Sequence, residues 1–197
     1  MFWLALGYPI LAHLAVVFHD TRLEWMALVW LLGLSLTSAL VARRAWAWGT
    51  LAVGALGLYW LVVLGHGRYA LFVPPALIPI ALFIVFSRSL RADATPLITR
   101  IATLMRGEPL PPPLVVYTRQ VTVLWCLVFI AMFASALLSA LWGSAEVWSL
   151  MTNVVHYVVL GAIFVLEFAY RRIRYSTLEP WGLFEYLKRL VRTNIRF

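Results

Sequence analysis

Residues 118–142 read TRQVTVLWCLVFIAMFASALLSALW, twenty-five residues with a single charge, Arg119, at the second position. A helix crosses the hydrocarbon core of a bilayer with about 20 apolar residues, in a range of about 17–25. This stretch has that length, and its interior offers water nothing ionic to solvate. Working outward, five more stretches share its character: Phe2–Phe18, Trp25–Ala42, Ala45–Leu64, Ala70–Ser87 and Val147–Tyr170. The expectation is an all-α, polytopic integral membrane protein of about six transmembrane helices. Composition agrees: 63% of the 197 residues are hydrophobic and 12% charged, against about 25% charged in soluble proteins. Such a chain is too short to hide that much apolar surface in a soluble core.

Arginine sorts between the stretches. Arg43, Arg44, Arg88, Arg91, Arg100, Arg106, Arg119 and the tail residues Arg171, Arg172, Arg174, Lys188, Arg189, Arg192 and Arg196 fall on one side; Arg22 and Arg68 fall on the other. Under the positive-inside rule that asymmetry places both termini in the cytoplasm, as a multi-pass protein of a bacterial inner membrane would have them. The net charge of +8 then serves topology and anionic headgroups, and nucleic acid is not an expected partner. Phe2–Phe18 lacks a basic leader and a small-x-small site before His19, so it reads as a retained span. Cys126 is the only cysteine, which excludes an internal disulfide and a thiolate metal cluster. The tryptophans fit two interfacial belts, with Trp3, Trp46, Trp48 and Trp125 near the inner surface and Trp25, Trp142 and Trp148 near the outer. Trp30 and Trp60 lie deeper and read as packing residues.

The chain divides into a four-span half (1–87), a loop with an amphipathic helix and a proline-rich link (88–117), a two-span hairpin (118–170) and a basic amphipathic tail (171–197). Pro74, Pro75 and Pro79 should break or kink the fourth span and leave carbonyls for neighbours to satisfy. Ala131, Ser135, Ser139 and Gly143 recur every fourth residue, a ridge on which helices approach closely. Leu97, Ile98, Ile101, Leu104 and Met105 lie at helical spacing after Pro96, so 96–106 reads as a short amphipathic surface helix. Trp181 to Arg192 repeats the pattern.

Few ionisable groups fall inside the spans, where they are costly. His13, Asn153 and His156 lie in the outer half. Two histidines at one depth have the chemistry to ligate a haem or pass a proton, but the preferred reading of each is a hydrogen-bonded packing residue. Glu167 and Arg171 stand at i,i+4 with the acid first, a favourable pair. His19-Asp20 lacks the spacing of an acyltransferase motif. No phosphate-binding loop, dinucleotide fingerprint, metalloprotease, dithiol or nucleophile-elbow pattern occurs. No catalytic residue, metal site or cofactor is therefore expected.

Pro96-Leu-Ile-Thr-Arg-Ile-Ala, Arg106-Gly, Tyr117-Thr-Arg-Gln-Val-Thr-Val-Leu-Trp125, Trp148-Ser-Leu-Met-Thr-Asn-Val-Val and Glu167-Phe-Ala-Tyr-Arg-Arg resemble a family of uncharacterised bacterial inner-membrane proteins. Its members are encoded in aryl polyene and xanthomonadin-type pigment clusters. The likeness covers roughly residues 85–190 and implies a pathway in which acyl carrier proteins take part. The family has no assigned reaction, so no catalytic residue carries over. With that resemblance the arginines gain a second meaning, because carrier proteins are acidic and complementary potentials steer association. The leading expectation is a non-enzymatic membrane component that docks carrier-dependent enzymes through Arg100, Arg106, Arg119, Arg171, Arg172 and Arg174. Alternatives are a flippase or exporter subunit using the fourth span and the His13/His156 level, and a lipid-modifying transferase using Glu167 and Tyr117–Arg119. The small soluble mass favours a homo- or hetero-oligomer.

Overall fold

The computed structural model describes residues 6–175. Trp3 and the amphipathic tail expected after Tyr175 lie outside them. Every regular element among the described residues is helical: α1 Gly7–Phe18, α2 Thr21–Val41, α3 Ala45–Val63, α4 Gly67–Arg88, α5 Leu97–Arg106, α6 Pro112–Trp142, α7 Ala145–Leu150, a π turn Met151–Val155, and α8 His156–Arg174. Elements α2, α3, α4, α6 and the continuous run Ala145–Arg174 are each long and apolar enough to span a membrane, and α1 is a shorter apolar helix. Only 11–28% of each spanning window is buried within the protein. Apolar side chains such as Val53, Leu127 and Ile173 face outward, as lipid permits and water does not.

Local chemistry sets the helix ends. Asp20 caps α2 by accepting the Arg22 N–H at 2.8 Å, which gives this residue a structural task. Ser144 caps α7, accepting from the Val147 N–H at 3.3 Å. Gly65 takes a φ of +80° after α3 and Gly107 a φ of +78° after α5, left-handed conformations that favour glycine at helix exits. Helix α6 begins at Pro112, six residues before the apolar stretch, because Pro112 and Pro113 occupy a first turn that needs no N–H donor.

The described chain forms two compact units, one of residues 6–78 and 132–157, the other of residues 79–131 and 158–175. In the first, Ala12, Ala15 and Ala27 are fully buried with Tyr8, Leu28, Val62 and Leu71. Small residues at these positions let helix backbones approach where lipid removes the hydrophobic drive. The Trp25 indole N–H donates to the Ala55 carbonyl at 2.9 Å, joining α2 to α3.

Two expectations need correction. The prolines do not break the fourth span, since α4 is a continuous α-helix from Gly67 to Arg88. Pro75 withholds the N–H that would reach the Leu71 carbonyl, and the buried Tyr8 hydroxyl donates to that carbonyl instead, at 3.2 Å. Tyr8→Phe should cost about 1–2 kcal/mol, the penalty of an unsatisfied buried acceptor. Equilibrium unfolding in mixed micelles checks this; a variant as stable as the parent would deny the bond its role. The second correction concerns indoles. Trp148 is 2% exposed and packs on Phe72 with ring centroids 4.1 Å apart, so it is a core residue rather than part of an interfacial belt. Trp60, 58% exposed, faces outward rather than packing.

Candidate functional site

In the unit formed by residues 79–131 and 158–175, α5 lies against α6 through a seam of threonines. The first N–H groups of a helix have no partner within it, and Pro96, at the N-cap of α5, has no side-chain acceptor to offer. The Leu97 N–H donates to Ser89 Oγ at 2.9 Å and the Ile98 N–H to Thr122 Oγ1 at 3.4 Å. Thr118 spends its hydroxyl proton on the Leu114 carbonyl at 2.8 Å, which makes Thr99 the donor of the 2.7 Å Thr99–Thr118 bond. Thr99, Thr118 and Thr122 are all buried. Helix α5 is amphipathic as expected, and its apolar side is turned onto α6: Leu97 and Met105 are buried, while Ile98, Ile101 and Ala102 roof a cavity of about 260 Å³.

One wall of that cavity carries charge. Glu167 accepts from the Tyr117 hydroxyl at 3.0 Å and pairs with Arg171 Nε at 3.4 Å; the two ionic side chains are 12% and 6% exposed. The i,i+4 pair read from the sequence is present, and Tyr117, fifty residues away, completes it. Tyr117 also stacks on Tyr170 at 5.8 Å. The arrangement holds a neutralised charge pair beside an apolar hollow. Of the arginines assigned to docking, Arg100, Arg119, Arg172 and Arg174 are exposed, Arg106 pairs with Glu108 at 2.7 Å, and Arg171 is buried against Glu167. Arg171 is therefore withdrawn from the docking set in this conformation. Within this unit's described residues, Arg88, Arg91, Arg100, Arg106, Arg119, Arg171, Arg172 and Arg174 face three acids, Asp93, Glu108 and Glu167.

The intramembrane polar residues belong to the other unit. His13 Nδ1 lies 3.0 Å from Ser149 Oγ, which also accepts from Asn153 Nδ2 at 3.2 Å; His156 Nε2 lies 2.8 Å from Ser135 Oγ. Each histidine thus bonds a serine of another helix. In a plain α-helix Ser149 and His156, seven residues apart, would share a face. The intervening π turn adds one residue to the winding, which rotates the two apart by about 100°. Ser149 meets α1 and His156 meets α6. Ser135, read from the small-residue ridge, serves as that histidine's partner. No group of three potential metal ligands occurs among the described residues. The threonine seam, Ser149 and the π turn answer to no motif: hydroxyls inside apolar runs at 99, 118 and 122 are the one signal the sequence offers for the seam.

Fold and site define a class, a multi-pass helical membrane protein with a buried charge pair beside a small apolar cavity. No protein-family model, no curated protein and no solved structure matches the chain.

Proposed function

We propose that the protein is a non-enzymatic inner-membrane component of an aryl polyene-type lipid pathway, docking an acidic acyl carrier protein at the cytoplasmic leaflet. The observation that carries this reading is the segregation of charge. One unit has eight arginines against three acids among its described residues, while the other has Arg22, Arg43, Arg44 and Arg68 against Asp20, Glu24 and Glu146. A local excess of positive charge attracts an acidic partner and raises its on-rate. The sequence resemblance supplies the identity of that partner, and the positive-inside rule supplies the leaflet. Helix α5 adds a second support, because it presents Arg100 outward while its other face roofs an apolar cavity.

The test is a deletion strain. Loss of the protein should cause carrier-bound intermediates to accumulate, and a copy with Arg100, Arg119, Arg172 and Arg174 changed to Glu should fail to restore product. Normal product left on the wrong leaflet would contradict docking and favour transport. An accumulating free lipid that lacks one modification would contradict it in favour of a transferase.

A further inference from the structure

Two hollows of the arginine-rich unit share a wall. The cavity beneath α5 is apolar over most of its surface, with Phe86, Trp125, Phe129 and Phe164 around it. On the other side of Val121 and Glu167 lies a groove of about 470 Å³ between α6 and α8, lined by Tyr117, Gln120, Leu124, Ile163, Leu166 and Tyr170. Val121 and Glu167 line both hollows. The groove is open to the surroundings, since Leu124, Leu166 and Tyr170 are 41%, 67% and 54% exposed.

The geometry points to a binding site for a single-chain anionic amphiphile, its tail lying past Val121 in the cavity under α5 and its head at the polar end of the groove. Three observations carry it. The cavity is partly open and lined mostly by aromatic and aliphatic side chains, and at about 260 Å³ it exceeds the roughly 150 Å³ that accommodates a benzene ring in a dry apolar cavity. It is too small for the two tails of a phospholipid, so one chain is the occupant it fits. The groove sets the Tyr170 hydroxyl and the Gln120 amide beside apolar residues at the same opening. The nearest exposed charges along the two helices are positive, Arg119 beside Gln120 and Arg174 one turn beyond Tyr170, which selects an anionic head over a neutral or cationic one. Glu167 does not oppose that head, because Arg171 neutralises it and Tyr117 holds it.

The test uses the full chain in nanodiscs with a long-chain fatty acid bearing a photoreactive diazirine at its tail. The methyl ester of the same acid is the neutral-head control. The acid should label peptides spanning 97–106 and 118–129, at least tenfold above the ester. Ala102→Phe and Ile101→Trp, which fill the cavity from α5, should each reduce that labelling tenfold or more while leaving labelling of the lipid-facing residues of α3 unchanged. Unchanged α3 labelling reports an intact fold. Equal labelling by acid and ester, labelling spread evenly over all helices, or labelling indifferent to both substitutions would each overturn the site. Carrier docking does not enter this experiment, so its failure leaves that reading as it stands.

Discussion

Glu167→Ala is expected to lower stability by about 3–5 kcal/mol, the cost of removing one partner of a buried ion pair. Arg171 is 6% exposed, and its guanidinium cannot reach bulk water without repacking α8. The same change takes the acceptor from the Tyr117 hydroxyl. Glu167→Gln keeps an acceptor for Tyr117 and loses only the charge, so it should fall between parent and alanine. The double change Glu167→Leu with Arg171→Met should be less harmful than Glu167→Ala alone, because it removes the desolvated charges together. Equilibrium unfolding in mixed detergent micelles reads all three. An alanine variant within about 1 kcal/mol of the parent would mean that water reaches the pair, contrary to its burial.

The second large effect is expected at Trp148. Fully buried aromatic residues cut to alanine cost about 3–5 kcal/mol in soluble cores, part of it lost transfer energy and part the cavity left behind. A residue inside a membrane protein leaves one apolar medium for another on unfolding within lipid, so the transfer part shrinks while the lost packing remains. Trp148→Ala should therefore cost about 3 kcal/mol, at the low end of that range. Trp60→Ala, which removes an outward-facing indole, should stay within about 0.5 kcal/mol, as surface changes do. The difference between the two variants checks the assignment of Trp148 to the core. Equal effects would deny Trp148 its place in the core.

The contrast between these tryptophans shows where sequence reading stops. Length and hydropathy place a helix in the bilayer, because the cost of an unpaired backbone there leaves the chain little choice. Neither decides which face of the helix meets protein, and a membrane helix that is apolar all round carries no moment to read. Sequence places Trp60 and Trp148 by depth alone, and depth says nothing about direction. The Glu167–Arg171 pair was legible because it is local, whereas its partner Tyr117 lies on another helix, fifty residues earlier. The prolines of α4 were legible as carbonyl-freeing residues, and their neighbour Tyr8 was not, for the same reason. The π turn has no sequence mark at all. It changes where Ser149 and His156 point, so that each meets a different helix. Amphipathic spacing in 97–106 gives the helix α5, but the threonines that dock it to α6 carry no mark beyond being hydroxyls in apolar runs.

The most direct test of carrier docking is binding of an acidic acyl carrier protein to the full chain in nanodiscs of purely zwitterionic lipid. Without anionic lipid, attraction to the membrane itself is removed. Measured by biolayer interferometry, the parent should bind, and binding should weaken as salt rises from 50 to 300 mM or so, because exposed charges are screened over about 10 Å. Changing Arg100, Arg119, Arg172 and Arg174 to Glu should weaken binding by tenfold or more, while Arg22→Glu, in the other unit, should leave it unchanged. Carrier protein that fails to bind the parent, or that binds the reversed variant equally well, would contradict docking and leave those arginines to topology and lipid phosphate.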